Sequence, residues 1–213
     1  MMMSLAEQAY QTIADRLVTL QIHPGAPIND EQLAQELELG RTPVREALKR
    51  LESERLVVAY PRRGTFASEV HITDLGHISE VRQQLEPLAA GLAARRVTAK
   101  QRVELTELAS ELEFLGDPHP PMPPHAMVRL DMRLHRAVYA ASGNPYLADT
   151  LIRYDNLATR IWCLFLDRLP TLADHVAEHS ALVDAILAGD PDQAAAHAAA
   201  HVSGFEAAVR AII

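Results

Sequence analysis
Apolar residues recur at spacings of three and four along most of the chain, the period of helices that bury one face. Leu5, Ala9, Ile13, Leu17 and Leu20 predict a first helix from Leu5 to Ile22, ended by His23-Pro24-Gly25-Ala26-Pro27. Leu33, Ala34 and Leu37 predict a short second helix, with Asn29 or Asp30 as its cap. After a turn at Gly40, a third helix buries Val44, Ala47, Leu48 and Leu51. Thr42 is its expected cap, and Pro43 its first residue, where no backbone donor is lost. The period then changes. Leu56-Val57-Val58-Ala59 and Thr65-Phe66-Ala67 predict two short strands around Tyr60-Pro61-Arg62-Arg63-Gly64. Three helices and a small hairpin make a winged helix-turn-helix over residues 1–68.

Residues 69–73 read as a linker, and 74–213 as an all-helical antiparallel bundle. Thr73 caps a helix from Asp74 to about Val97, bent or broken at Pro87. Thr98-Ala99-Lys100-Gln101 is a capping-box pattern opening a helix to about Leu115. The proline-rich stretch 117–124 predicts a surface loop. A helix from about His125 to Ser142 follows. Asn144 caps the next, which runs to Asp167 and is rich enough in Leu, Ile, Trp162 and Phe165 to be central. Pro170 separates it from a helix over Thr171 to Leu187. Gly189-Asp190-Pro191 then stops one helix and starts the last, which runs nearly to Ile213. The whole is mainly α, and 5% aromatics with abundant alanine agree.

Composition narrows the class. Apolar residues make up 48% and charged residues 23%, the balance of a globular protein and not of a disordered chain. No apolar run reaches the length of a membrane span, so no membrane partner is expected. The opening Met1–Glu7 lacks a basic region followed by an apolar block, so no secretory signal is expected either. The single cysteine, Cys163, cannot form an intrachain disulfide and reads as core packing; a reducing cytoplasm fits.

The net charge of −8 hides a split. Residues 1–40 carry a net of −5 and 69–213 a net of −7, but 41–63 carry seven basic groups against Glu46, Glu52 and Glu54, a net of +4. One basic block in an acidic chain points to a localised anionic partner. A helix-turn-helix sets the first turn of its second helix against base edges, and Arg41, Thr42 and Arg45 sit at that turn. Arginine can donate two parallel hydrogen bonds to guanine. Lys49, one turn on, suits a phosphate. Arg62, Arg63 and Gly64 occupy the hairpin tip, where a wing reaches the minor groove or backbone.

The second half holds three pairs spaced by four: Asp131 and His135, His175 and His179, His197 and His201. Each pair shares a helix face. Imidazoles with one carboxylate suit a divalent transition metal, but spacing does not choose among the five histidines. Arg82 can pair with an anionic ligand or with Glu86, four residues on. Asn156 is a weaker pocket candidate.

Arg41-Thr42-Pro43-Val44-Arg45-Glu46-Ala47-Leu48-Lys49-Arg50-Leu51-Glu52, then Leu56-Val57 and Pro61-Arg62-Arg63-Gly64-Thr65, resembles the GntR family of bacterial transcription regulators. Ile22-His23-Pro24-Gly25 and Glu31-Gln32-Leu33-Ala34 fit the same pattern. Two departures are local. Glu38-Leu39-Gly40 stands where the family usually has Gly, an aliphatic residue and Ser, and Arg55 replaces a common turn glycine. Further on, Leu130-Asp131-Met132-Arg133-Leu134-His135-Arg136-Ala137-Val138, Ala141-Ser142-Gly143-Asn144-Pro145 and Glu178-His179 resemble the FCD effector domain of the FadR subfamily. Val81–Glu86, the stretch Ala185–Asp190, Ala194 and His201 extend that likeness.

The resemblance implies a ligand-responsive, DNA-binding transcription regulator, a repressor rather than an enzyme. It implies that Asp131, His135, His179 and His201 bind a divalent metal and that His175 and His197 do not. Zinc is the expected ion, with nickel or manganese as alternatives. A small organic acid would complete the metal's coordination, with Arg82 beside its second anionic group. The DNA partner would be a palindromic operator read by a homodimer, because one winged helix buries little DNA surface. The competing readings are a metal-dependent hydrolase, a regulator whose signal is the metal itself, and a protein-binding adaptor.

Overall fold
The computed structural model describes residues 3–116, 122–168 and 172–212. The chain divides into two compact units, Met1–His71 and Ile72–Ile213.

The first unit opens with α1 (Leu5–Val18), capped by Ser4, whose hydroxyl accepts the Glu7 N–H at 3.1 Å. The helix stops short of the expected Ile22. Thr19 closes its last turn onto Asp15 O, Leu20 turns left-handed at φ 56°, and the Ile22 N–H reaches back to Arg16 O. Leu20 thus continues the apolar pattern after the helix has ended. A two-residue strand absent from the sequence reading follows, β1 (Pro27–Ile28). In α2 (Asp30–Glu36), Asn29 is the cap and accepts from the Glu31 and Gln32 N–H groups.

The third helix, α3 (Arg41–Ser53), starts earlier than expected: Gly40 is the cap residue, and Thr42 and Pro43 lie inside the first turn. Pro43 still costs nothing there, since the first N–H groups of a helix have no intrahelical acceptor. α1 and α2 both pack on α3. The strands β2 (Val57–Tyr60) and β3 (Gly64–Ala67) form a hairpin, and β1 joins it to give the antiparallel order β1-β3-β2. Glu38 (φ 55°) and Arg55 (φ 64°) are both left-handed. These are the two positions where the sequence departs from a glycine pattern, so the turns survive with side chains in place.

The second unit is all helical over its described residues: α4 (Asp74–Arg96), α5 (Ala99–Leu112), α6 (Pro124–Ala141), α7 (Pro145–Cys163), α8 (Leu172–Ala177), α9 (His179–Ala188) and α10 (Pro191–Arg210). Short 3-10 turns follow α5 and α7. α4 runs unbroken through Pro87, and Thr73 precedes it without a side-chain cap. α4, not α7, is the central helix, packed by α6, α7, α9 and α10. Its small residues allow this. Ala89, Ala90 and Ala93 are fully buried, and a side chain at Gly91 would meet Pro191 O at 3.3 Å.

The capping box at Thr98 and Gln101 forms, and Asn144 and Asp190 cap α7 and α10. α7 ends at Cys163 instead of Asp167, leaving Trp162 buried and Cys163 half-buried. The helix expected over Thr171 to Leu187 is two, α8 and α9, meeting at Glu178. Most of the expected proline loop (117–121), with Pro170 and Thr171, lies outside the described residues.

Candidate functional site
In the first unit, Arg41, Thr42, Arg45 and Lys49 are all exposed on α3, with Arg41, Arg45 and Lys49 at helical spacings of four. Asp30, the first residue of α2, accepts hydrogen bonds from Arg45 Nε and, at 3.3 Å, from Arg41 Nη2. Arg41 Nη1 also lies 3.5 Å from Glu31. The hydrogen bond from Arg45 and the charges of both arginines hold the Asp30 carboxyl below its ordinary range. Arg50 belongs to the same basic block but is held differently: its guanidinium lies 3.5 Å from the Tyr10 ring centroid and bonds Glu7 and Glu54. Arg50 is therefore a structural tie to α1.

At the hairpin tip, Arg62, Arg63 and Gly64 are exposed. Arg62 (φ 64°) and Gly64 (φ 95°) make the tight reversal, and Arg63 reaches over the Tyr60 ring at 5.7 Å. Tyr60 in turn meets Phe66 edge-on across the hairpin.

In the second unit, α6, α9 and α10 bring Asp131, His135, His179 and His201 together. One ligand atom from each lies within 4.8 Å of all the others. All four are buried, His179 completely. The orientation of each imidazole follows from what its Nδ1 meets. His135 Nδ1 is 3.0 Å from the Tyr139 hydroxyl, His179 Nδ1 is 3.1 Å from Val176 O, and His201 Nδ1 is 3.0 Å from Glu178 Oε2. His135 and His201 turn Nε2 toward the cluster, whereas His179 Nδ1 also lies 3.7 Å from Asp131 Oδ1. His135 Nε2 and His201 Nε2 face each other at 3.2 Å, while His179 Nε2 and Asp131 Oδ1 are buried with no hydrogen-bond partner. Buried polar atoms without partners are costly, and one bound group at the cluster could satisfy both.

The electrostatics fit a cation. Burial, together with neighbouring charges, holds His135, His179 and His201 well below the ordinary imidazole range. Their lone pairs stay available at neutral pH. Burial and the nearby Asp155 push the Asp131 carboxyl well up. A divalent ion reverses that logic, because a local double positive charge favours the carboxylate. The donor set of three imidazoles and one carboxylate suits a first-row divalent metal.

An outer layer surrounds the four. Glu178 Oε2 bridges His201 and His175, the latter at 3.3 Å. His175 stacks on His201 with ring centroids 4.0 Å apart, and Trp162 and Phe205 close around His175. His175 thus supports the cluster from outside, and with Glu178 and His201 it forms a second group of metal-competent atoms. His197 is in neither group among the described residues.

Arg82 is buried and engaged: its Nε donates to Glu86, and its Nη2 lies 3.6 Å from Asp155. Glu86 also lies 3.6 Å from His135 Nδ1. Burial raises Asp155 to about 6, although Arg82 works against it. Asn156 Oδ1 accepts from Arg136 at 3.2 Å, and its Nδ2 is buried without a partner. Tyr139 and Asp155 are not among the sequence-derived candidates, and Asp30 and Glu178 enter there only as an alternative cap and as part of the Glu178-His179 resemblance. Their roles are not marked locally, since each acts through a residue on another turn or helix.

A winged helix whose third helix is basic, followed by a helical unit enclosing a histidine cage, defines a DNA-binding regulator with a separate effector domain. The chain belongs to the GntR regulators that carry an FCD domain: the bacterial regulatory proteins, gntR family, match residues 5–67, and the FCD domain matches residues 77–204. It is 29% identical over 189 residues to the Nta operon transcriptional regulator of Aminobacter aminovorans, covering 87% of this chain and 85% of that one. It is 27% identical over 194 residues to the HTH-type transcriptional regulator McbR of Escherichia coli K12, covering 89% and 85%. The solved E. coli McbR/YncC structure superposes with a TM-score of 0.80 at 25% identity, over 99% of both chains. A putative GntR regulator from Rhodococcus sp. RHA1 shares the fold, with a TM-score of 0.68 at 20% identity over 98% of both chains. No helix among the described residues is long and apolar enough to cross a membrane.

Proposed function
We propose that this protein is a cytoplasmic repressor that binds a palindromic operator as a homodimer and responds to a small organic acid through a bound divalent metal. Residues 1–68 read DNA and residues 74–213 sense the acid. The observation that carries the sensing half is the buried cage in which Asp131 Oδ1 and His179 Nε2 lack partners while His135 and His201 turn Nε2 inward.

Asp131, His135, His179 and His201 hold the ion, zinc in the first instance and nickel or manganese as alternatives. When bound, it offers Lewis-acidic coordination positions for a carboxylate. Asn156 supplies an unpartnered N–H donor for the acid. Arg82 reaches an anion only by sharing a guanidinium already held between Glu86 and Asp155. In the DNA half, Arg41, Thr42 and Arg45 meet base edges, Lys49 a phosphate, and Arg62, Arg63 and Gly64 the flanking groove. Regulation requires that the acid bind the DNA-competent and released states with different affinities.

A thermal-shift screen of carboxylic acids with and without zinc, followed by duplex binding, tests the reading. The expected result is an acid that stabilises only the metal-loaded protein and weakens its hold on DNA. If no acid changes DNA affinity but a chelator does, the signal is the metal. Turnover of an acid would instead favour the hydrolase.

A further inference from the structure
The two arginines expected to read bases do not extend freely into solvent. They converge on one carboxylate, that of Asp30. Asp30 sits in the first turn of α2, where a negative charge is favoured by the helix dipole and where Asn29 fixes the backbone. Its side chain is 24% exposed, against 49% for Arg41 and 60% for Arg45. The carboxylate is thus the sheltered anchor: Arg45 meets it through Nε, while Arg41 turns Nη2 to Asp30 and Nη1 to Glu31.

We propose that Asp30 is a positioning residue for sequence reading, holding Arg45 so that its outer N–H groups present one fixed donor pattern to the major groove, with Arg41 tied beside it. This rests on the DNA-reading assignment of α3 above. Arg45 is held through Nε, which leaves its Nη1 and Nη2 groups as a parallel pair, the arrangement that reads O6 and N7 of guanine. A tethered guanidinium also has less rotamer freedom to lose on binding than a free one.

The second effect is on charge. Asp30 offsets one of the two guanidinium charges, in addition to Glu31 beside Arg41, and phosphate attraction is the sequence-independent part of DNA affinity. Asp30 therefore lowers binding to any duplex while preserving binding to the right one.

The test uses a duplex enriched from a random pool by the wild-type protein and a scrambled duplex of the same composition. Asp30→Ala should bind the scrambled duplex more tightly, with a steeper salt dependence. It should bind the enriched duplex no better, so that discrimination falls roughly tenfold, the scale of one good base contact. Asp30→Asn, nearly isosteric, should fall between and carries the test if the alanine variant does not fold. Asp30→Glu should restore part of the discrimination. An unchanged ratio in folded Asp30→Ala, with Arg45→Ala abolishing discrimination, overturns the role of Asp30 alone. If the wild type enriches no sequence, or Arg45→Ala discriminates as well as wild type, the reading helix is wrong and this proposal falls with it.

Discussion

Glu178 Oε2 lies 3.0 Å from His201 Nδ1, on the opposite side of the ring from the Nε2 that faces His135. A carboxylate at Nδ1 favours the proton there, which leaves Nε2 as the lone-pair atom for an ion. Outer partners of this kind raise ligand basicity and fix ring orientation. Glu178 stands at the junction of α8 and α9.

Glu178→Gln is expected to weaken zinc binding by about 10- to 100-fold without unfolding the bundle. The single tryptophan, Trp162, packs 5.0 Å from His175, so its fluorescence can follow the titration. An unchanged dissociation constant would remove Glu178 from the site.

Metal content tests the cage itself. His135→Ala and His179→Ala should lose the roughly one equivalent per chain expected of a single four-donor site, and His197→Ala should keep it. Elemental analysis after gel filtration decides this. Full occupancy in both cage variants would reject the assignment.

The pH dependence of metal binding should come from Asp131. Buried imidazoles with depressed proton affinity are already neutral at pH 7, so they release no protons to an incoming ion. The Asp131 carboxyl is raised, so in acid it holds a proton that the ion must displace. Affinity should therefore rise with pH through the raised Asp131 range and then level off. Asp131→Asn should bind more weakly at the plateau and show a flatter profile. Calorimetry over a pH series would expose the opposite result, a slope set by histidine that Asp131→Asn leaves unchanged.

Two arginines of the same helix should separate function from stability. Arg45→Ala should cost about 1–3 kcal/mol of specific duplex binding and leave thermal stability nearly unchanged. Arg50→Ala should lower stability instead, because Arg50 ties Tyr10, Glu7 and Glu54 together. Anisotropy and melting curves on the two variants should cross over. If Arg50→Ala loses DNA binding at full stability, the division of the basic block is wrong.

Arg55 stands exposed at φ 64° in the turn before β2. Arg55→Gly should stabilise the first unit by about 1 kcal/mol, the usual penalty for a left-handed residue with a Cβ, less the entropy a glycine adds to the unfolded chain. Chemical denaturation measures the shift. A loss of stability would mean that the arginine side chain contributes more than the backbone strain costs.

The winged helix was legible because its signals are local: the apolar period of Val44, Ala47, Leu48 and Leu51, the strand residues around Arg62 and Arg63, and turn chemistry at Gly40 and Gly64. Caps such as Asn144 and Asp190 were equally readable. Boundaries were not. Leu20 and Phe165 keep the apolar spacing beyond the ends of α1 and α7, so periodicity overran both helices.

What the chain determines unaided is therefore its alternation of apolar and polar positions, its caps and the paired spacing of its histidines, all set by neighbours within a turn or two. Only the tertiary structure decides which histidines meet. Three separate helices supply Asp131, His135, His179 and His201, and packing around the small residues of α4 and α10 brings them to one point. The same holds for Asp30, whose carboxylate meets Arg45 only because α2 packs against α3. Interactions between distant segments depend on how whole faces fit, and that information is spread over the entire fold.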